Sequence, residues 1–301
     1  MSAAVMVAGL RKSYGEVAAV RDISFEIAEG EVVAVLGPNG AGKTTTVEIL
    51  EGYRTRDSGT VSVLGSDPEH GGSALRERVG IVLQEAGVDH YLTVSEAVRM
   101  HSELYRQPLG VDEVVDLVGL EEKRNARIKT LSGGQKRRLD VALALIGDPE
   151  LLFLDEPTTG FDPTARRQAW EVIKSLCNLG KTVLLTTHYM DEAQYLADRV
   201  IVIAAGRVVA EGPPSSIGGR ASARARIRFE LPHGVEVADL PVGTVAIDRR
   251  SVLIETAEPT GVLHRLTGWA VERGVELDGL AVDRPSLEDV YLELTAEQAE
   301  S

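Results

Sequence analysis

The stretch GPNGAGKT, Gly37–Thr44, constrains the fold of this chain more than any other feature. It matches the pattern G-x-x-x-x-G-K-[ST] in full, follows the apolar run EVVAVL and precedes the helical pattern TTVEILEGY. The pattern requires that strand–loop–helix context. Glycines let backbone N–H groups converge on phosphate oxygens at a helix N-terminus. The sequence therefore predicts an α/β domain that binds a nucleoside triphosphate, rather than a plain strand–helix turn.

The side chains of this loop suit a nucleotide with its magnesium ion. Lys43 can reach the β- and γ-phosphates, while the hydroxyl of Thr44 can join the coordination shell of Mg²⁺. We expect the loop to contact the nucleotide through Gly37, Pro38, Asn39, Gly40, Ala41, Gly42, Lys43, Thr44 and Thr45.

A pair of carboxylates follows a second apolar run, in LLFLDEP at Leu151–Pro157. Sites of α/β sheets lie at the C-terminal ends of the strands. We expect Asp155 to hold Mg²⁺ through water. Glu156, which points differently, is the candidate general base that polarises the attacking water.

Alternating short apolar runs and helical patterns indicate a largely parallel core sheet. The predicted buried strands are Glu31–Leu36, Val79–Leu83, Leu151–Leu154, Thr182–Thr186 and Val200–Ala204. We place this domain at residues 1–215, because GPPSSIGGR (Gly212–Arg220) combines turn and linker residues.

A small α+β domain is predicted for residues 216–301. Ala223–Leu231 alternates like a half-buried strand, and TVAIDRRSVLIET is a second strand-like run. A helix around Val262–Arg273 and a short strand, VELDGLAV, follow. Ser286 precedes the apolar stripe of a last helix and resembles a capping residue.

Composition narrows the class of partner. The chain has 46 acidic and 32 basic side chains, a formal charge of −14, which argues against a nucleic-acid partner. Cys177 is the only cysteine, so neither an internal disulfide nor a thiolate zinc cluster is possible. The order of apolar and basic residues at the start is wrong for a secretory signal, and no apolar run has membrane-spanning length. We expect a cytosolic chain that acts on a membrane only through a partner.

A second glycine-rich helix start lies in LSGGQKRRLD, Leu131–Asp140. Such a start is a ready anion site, as the first loop is. The basic run Lys136–Arg138 is interpreted as a solvated helix face rather than a nucleic-acid patch.

The order of these motifs, GPNGAGKT, LSGGQ and LLFLDEP, resembles ABC-type ATPases over about residues 5–215. The resemblance implies a P-loop ABC-type domain, with a helical subdomain at about 86–147. It implies that Tyr14 stacks on adenine, that Gln84 contacts Mg²⁺ and water, that Asp162 belongs to the D-loop and that His188 contacts the γ-phosphate. The metal set is then Thr44, Gln84 and Asp155, with ATP and Mg²⁺ bound together.

The resemblance also implies a shared site. Ser132, Gly133, Gly134 and Gln135 would face the ATP of a second copy, so that two chains pair head-to-tail about two ATP molecules. The dimer would close on ATP and open after hydrolysis.

THYMDEAQYLADRVIVIAAGRVVAEG and PSLEDVYLELT resemble the daunorubicin-resistance type of export ATPase. This implies a separately encoded multispan permease, peripheral attachment at the cytoplasmic face of the membrane, and export of a drug, antibiotic, lipid or other hydrophobic compound. We expect Glu85–Tyr105 to receive the permease. The alternative is a soluble ABC ATPase that remodels a translation or regulatory complex.

Overall fold

The protein is described by a computed structural model that covers residues 3–82, 87–219, 223–242 and 246–299. The strands are β1 Ala3–Tyr14, β2 Val17–Ala28, β3 Val32–Leu36, β4 Ser58–Val63, β5 Val79–Val82, β6 Leu151–Asp155, β7 Thr182–Thr186, β8 Arg199–Ala204, β9 Arg207–Gly212, β10 Ala225–Glu230, β11 Ala246–Asp248, β12 Ser251–Thr256 and β13 Ala281–Asp283. The α-helices are α1 Lys43–Leu50, α2 Gly72–Arg76, α3 Val94–Ser102, α4 Val111–Leu117, α5 Gly133–Leu145, α6 Pro163–Asn178, α7 Met190–Leu196, α8 Pro259–Arg273 and α9 Leu287–Ala299.

A six-stranded sheet in the order β5-β6-β7-β3-β8-β9 forms the centre of the first part of the chain. All its pairings are parallel except that of β8 with β9. Every residue of β3 and β7 is buried, as continuous apolar runs require when both faces of a sheet are covered. The predicted α/β class with a parallel core is confirmed. Because β3 and β6 both lie next to β7 and run parallel to it, the loop after β3 and the carboxylates after β6 lie at the same end of the sheet, where these strands have their C-termini.

A second, antiparallel sheet has the order β2-β1-β4 and was not predicted. In β1, buried Val5 and Val7 alternate with exposed Met6, and register shifts interrupt the pairing with β2. A search for continuous apolar runs misses such half-exposed strands. The ladder ends with Tyr14 paired to Val17.

Helices α3, α4 and α5 contact one another and fall within the range expected for a helical subdomain. Thr93 begins α3 with a capping box, in which its hydroxyl accepts from the Glu96 N–H and the Glu96 carboxylate accepts from the Thr93 N–H. Within the described ranges, no helix combines the length and apolar character needed to cross a membrane.

The chain divides into two compact units, one up to Pro214 and the other Ser215–Leu294, and the residues from Thr295 onward group with the first. The second unit has a four-stranded antiparallel sheet in the order β11-β12-β10-β13, with α8 in contact with β10. Its core includes Ile227, Val252 and Leu266, each fully buried.

Two details of this second unit correct the sequence prediction. The described part of TVAIDRRSVLIET, from Ala246 to Thr256, forms a hairpin of β11 and β12 that turns at Arg249, whose φ is 58°. Of the run VELDGLAV that was predicted as a strand, only Ala281 and Val282 belong to β13, which extends to Asp283 and pairs with β10. The capping interaction predicted before the last helix is present, since the Ser286 hydroxyl accepts from the Asp289 N–H at 3.0 Å.

Candidate nucleotide site

The loop after β3 is shaped by close backbone approaches. A Cβ at Gly37 would lie 2.2 Å from the Ile203 carbonyl oxygen, and one at Gly42 would lie 2.4 Å from that of Ala19. Gly42 also has a φ of +98°, which L side chains rarely adopt. Only glycine therefore fits these two positions, and Asn39 and Gly40 between them are exposed to a ligand.

Lys43, the first residue of α1, is folded onto this loop. Its ammonium group donates to the carbonyl oxygens of Gly37 at 2.7 Å and Pro38 at 3.1 Å. Burial lowers the pKa of Lys43, whereas the charges of Glu156 and Asp155 raise it. A charged lysine with weak, neutral partners is poised to bind an anion.

The end of β6 is fixed by Thr186 of the neighbouring strand β7. The Thr186 hydroxyl donates to an Asp155 carboxylate oxygen, and the Glu156 N–H donates to the Thr186 carbonyl oxygen at 3.1 Å. Glu156 has a φ of 45°, in the left-handed region that a glutamate rarely adopts. Backbone strain of this kind persists where surrounding bonds enforce it, often at a functional site.

Both oxygens of the Glu156 carboxylate have partners. Oε1 lies 3.3 Å from His188 Nδ1, and Oε2 accepts from the Thr159 hydroxyl at 2.9 Å. The His188 side chain is 46% exposed and that of Glu156 is 21% exposed, so water can reach the pair. The structure thus brings together Glu156, the candidate general base, and His188, which the family resemblance marks as a γ-phosphate contact and as the second catalytic candidate.

The oxygen ligands at the C-terminal end of the strands suit a Mg²⁺ ion that is bound together with a nucleotide. Mg²⁺ is usually held by one or two carboxylates and by substrate phosphates, rather than by a cage of protein ligands. Asp155 offers a carboxylate at the strand end, and Thr44 is an exposed residue in the first turn of α1. Among the residues that the structure describes, there is no group of three or more His, Cys, Asp or Glu able to hold a metal ion. Gln84, the third predicted ligand, lies outside the described residues.

Tyr14 presents an aromatic ring to solvent at the end of β1. It is 42% exposed, and the Lys12 ammonium and Arg54 guanidinium lie 5.7 and 5.5 Å from its ring centroid. An exposed ring flanked by cations can stack on a purine base whose phosphates are anionic.

The LSGGQ sequence forms the N-terminus of α5. Ser132 is the N-cap, whose hydroxyl accepts from the Gln135 N–H at 3.3 Å, while Gln135 Oε1 accepts from the Ser132 N–H at 3.0 Å. Ser132 and Gly133 are exposed, and a Cβ at Gly133 would meet nothing within 4 Å. Buried Leu131 anchors this turn. The helix start is therefore open to a ligand from outside the chain.

Asp162 begins α6 as its N-cap. One carboxylate oxygen accepts from the N–H groups of Thr164 and Ala165, each at 2.9 Å. The following Pro163 occupies the first helical turn, where a missing N–H costs nothing.

Arg137 corrects the interpretation of the basic run as a solvated face. It is only 7% exposed, and its guanidinium donates to the carbonyl oxygens of Asp155 at 2.8 Å and Pro157 at 3.1 Å. Burial lowers the pKa of Arg137, and Asp140, 3.7 Å away, opposes that shift. Helical spacing could have revealed this, because Arg137 lies four residues before buried Val141 and so on the buried face of α5.

Glu192 of α7 is a second buried charged group that the sequence analysis missed. It is 0% exposed, and one carboxylate oxygen accepts from the Thr158 hydroxyl at 2.7 Å and from Trp170 Nε1 at 2.9 Å. These bonds tie the helix after His188 to the loop after β6 and to α6.

A glycine loop that cradles phosphate, beside a pair of strand-end carboxylates, defines a P-loop nucleotide-binding protein. Residues 20–159 match the ABC transporter family, and residues 225–286 match the C-terminal domain of ABC transporter domain-containing-like proteins.

Two relatives match this chain over nearly its whole length. The chain is 37% identical to a daunorubicin resistance ATP-binding protein of Streptomyces coeruleorubidus, over 98% of this chain and 96% of that one. It is 38% identical to the Nod factor export ATP-binding protein I of Rhizobium johnstonii, over 99% and 96%.

Two solved structures share the fold of the first unit. The Clostridium perfringens protein cbiO1, part of the ABC transporter complex cbiONQ, is 30% identical with a TM-score of 0.65, over 71% of this chain and 90% of that one. A dimeric ATP-binding cassette bound to ADP and Pi, in a post-hydrolysis state, is 27% identical with a TM-score of 0.61, over 69% and 98%. The chain belongs to the ABC transporter ATP-binding family of the daunorubicin-resistance type, which confirms the resemblance.

We predict that Arg137→Met destabilises the protein by about 1–3 kcal/mol, because the buried carbonyl groups of Asp155 and Pro157 lose their donor. Urea unfolding measures the change. Arg138→Met is the matched control on the same helix. Arg138 donates to the Gly119 carbonyl oxygen at a more exposed site, so its loss should cost no more than about 0.5 kcal/mol. Equal losses in the two variants would contradict the assigned role of Arg137.

Proposed function

We propose that the chain is the ATP-hydrolysing subunit of an ABC exporter. The observation that carries the proposal is the position of the Glu156 carboxylate, which His188 and Thr159 hold at the C-terminal end of β6. Lys43, at the start of α1, lies at the same end of the sheet. A fixed carboxylate that water can reach, beside a phosphate-binding loop, suits attack of water on a terminal phosphate.

Glu156 acts as the general base in this proposal. Its two partners fix the orientation of the carboxylate, which spares the cost of ordering it during the reaction. His188 faces Glu156 with Nδ1. The side of the imidazole ring that points away from Glu156 contacts the γ-phosphate. The water oxygen bonds to the γ-phosphorus while a proton of the water passes to the Glu156 carboxylate. The bond between the γ-phosphorus and the β–γ bridging oxygen breaks, so that ADP and phosphate leave.

The remaining loop residues bind and neutralise the substrate. Lys43 exchanges its carbonyl partners for phosphate oxygens, which are stronger acceptors because they are charged. Thr44, Gln84 and Asp155 would hold the Mg²⁺ that accompanies ATP, and that ion would offset the charge on the β- and γ-phosphates. Tyr14 stacks on adenine.

A second copy of the chain completes each site. The exposed start of α5, with Ser132, Gly133, Gly134 and Gln135, is proposed to bind the γ-phosphate held by the other copy. Asp162 lies near the shared interface as part of the D-loop. The dimeric, post-hydrolysis structure of a related cassette supports this arrangement. Hydrolysis removes the bridging phosphate and opens the dimer.

Export through a separately encoded multispan permease is the proposed output. The names of the relatives, one for daunorubicin resistance and one for Nod factor export, support outward transport of a drug, antibiotic, lipid or other hydrophobic compound. The chain would then lie at the cytoplasmic face of the membrane, with the surface around 85–105 receiving the permease and no nucleic acid involved. We retain residues 216–301 as an accessory domain after an ATPase domain at 1–215.

Glu156→Gln should reduce ATP hydrolysis about 10²–10⁴-fold and leave ATP binding intact, because only the base is lost. Phosphate release and binding of a fluorescent ATP analogue measure the two effects. Glu171→Gln, an exposed glutamate that bonds Tyr195, is the matched control and should retain full turnover. Near-normal turnover of the Glu156 variant would remove it from the mechanism.

Ser132→Arg should leave ATP binding by the monomer unchanged and prevent ATP-dependent dimerisation, because Ser132 serves the nucleotide of the other copy. Ser132→Asp should do the same while keeping a good helix cap, since its charge repels phosphate. Size-exclusion chromatography in the Glu156→Gln background measures the dimer, with Ser175→Arg on the exposed face of α6 as control. If either Ser132 variant loses binding as a monomer, the site is not shared between copies.

A further inference from the structure

Tyr189, the residue after His188, contacts that histidine through its ring. The two ring centroids lie 4.1 Å apart, and the ring planes are tilted by 40°. The guanidinium carbon of Arg166, near the start of α6, lies 3.8 Å from the centre of the same tyrosine ring. A guanidinium over an aromatic face is attracted by the quadrupole of the ring. Tyr189 therefore contacts both the histidine and a cation from another helix.

The imidazole of His188 has one polar partner within the described residues. Glu156 Oε1 lies 3.3 Å from Nδ1, which is longer than the usual distance of about 2.9 Å for an N–H···O hydrogen bond. The His188 side chain is also 46% exposed, and the χ2 torsion of a histidine is broad. Glu156 can select the nitrogen that faces it, but one long contact does not fix the plane of the ring. The packing against Tyr189 supplies that restriction.

The backbone of Tyr189 is fixed where α7 begins. Its N–H donates to the Thr187 hydroxyl at 3.0 Å, and its carbonyl oxygen accepts from the Ala193 N–H at 3.2 Å. Thr187 and Ala193 are both buried. The tyrosine ring is thus attached to an ordered part of the main chain.

Arg166 holds the ring from α6. Its side chain is 19% exposed, and its guanidinium lies 3.8 Å from the Asp191 carboxylate of α7. Its backbone N–H donates to the Asp162 carbonyl oxygen at 3.0 Å, inside the first turn of α6. The guanidinium is therefore restrained at both ends, by its own helix and by the helix that carries Tyr189.

The aromatic face of Tyr189, rather than its hydroxyl, makes these contacts. Among the residues that the structure describes, the hydroxyl has no hydrogen-bond partner. The ring faces both His188 and the Arg166 guanidinium. A phenylalanine at this position would keep both contacts.

A similar arrangement lies near the other end of α7. Trp170 of α6 and Tyr195 of α7 have ring centroids 5.3 Å apart, and the Lys174 ammonium lies 4.6 Å from the centre of the Tyr195 ring. This pair also connects α6 to α7, but it includes no residue of the candidate site. Tyr195 is therefore a matched control for Tyr189.

We propose that Tyr189 is a positioning residue for ATP hydrolysis, whose ring fixes the plane of the His188 imidazole while Arg166 holds the ring in place. The inference rests on the proposed function, since His188 contacts the γ-phosphate in that mechanism. A group whose orientation is set in advance spares the cost of ordering it during the reaction. Tyr189 acts through His188, so it affects turnover and not the binding of ATP.

ATP hydrolysis by the full chain, measured over a range of ATP concentrations, separates these effects. Tyr189→Ala should lower kcat about 10–10²-fold and change KM less than about twofold, because a misplaced group slows the reaction without weakening binding. Tyr189→Phe, which keeps the ring, and the control Tyr195→Ala should each keep kcat within about twofold of the unaltered chain. Arg166→Met should lower kcat by only about 2–5-fold, since the tyrosine ring remains.

Urea unfolding establishes that each variant is folded before its rate is compared. If Tyr189→Ala does not fold, Tyr189→Leu takes its place, because leucine fills much of the space but has no aromatic face. The same loss of kcat is expected of it.

A second comparison is made in a chain that lacks the imidazole. His188→Ala should lower kcat about 10²-fold or more, as expected when a group that stabilises transition-state charge is lost. Radiolabelled ATP keeps the residual rate measurable. In that background Tyr189→Ala should have less than about a twofold further effect, because no imidazole is left to position. A merely structural role of Tyr189 would lower kcat by the same factor in both backgrounds.

Three results would overturn the inference and leave the ATPase assignment standing. They are an unchanged kcat in Tyr189→Ala, an equal loss in Tyr189→Phe, and an equal effect of Tyr189→Ala with and without His188. Full turnover of His188→Ala would remove the histidine from the mechanism, and this inference would be wrong with it. If the unaltered chain does not hydrolyse ATP, the proposed function itself is wrong.

Discussion

The hydrogen bonds that hold the end of β6 are the constraint on which the site depends. Glu156 has a left-handed backbone, which costs free energy unless its surroundings enforce it. Thr186 binds its N–H from the adjacent strand, and Arg137 of α5 binds the carbonyl groups on either side of it. These bonds hold the backbone around Glu156, whose carboxylate oxygen Oε1 lies 3.3 Å from His188 Nδ1.

The sequence predicts most of the site because its chemistry is local. GPNGAGKT, LLFLDEP and LSGGQ each combine a strand or helix end with the residues proposed to act there, so short patterns point to Lys43, Glu156 and Ser132 as candidates. The parallel strands are predicted from the sequence equally well, because strands that are buried on both faces of a sheet form continuous apolar runs.

The remaining features depend on contacts between distant parts of the chain. The strands β1, β2 and β4 are half-exposed and lack a continuous apolar run, so they are not recognised from the sequence. The charged residues of α5 cannot be told apart until it is known which face of the helix is buried. Only the packed structure shows that Arg137 is buried while Arg138 remains nearer the surface, or that Glu192 is enclosed with Trp170 and Thr158.

Site-directed crosslinking between two copies tests the shared nucleotide site most directly. Cys177, the single native cysteine, is first replaced by Ala, and Asn39→Cys and Ser132→Cys are placed on separate, differently tagged chains in the Glu156→Gln background. With ATP, Mg²⁺ and a mild oxidant, we predict a disulfide that joins the two differently tagged chains and is absent without nucleotide. Absence of this crosslink, or its formation to the same extent without ATP, would contradict the account.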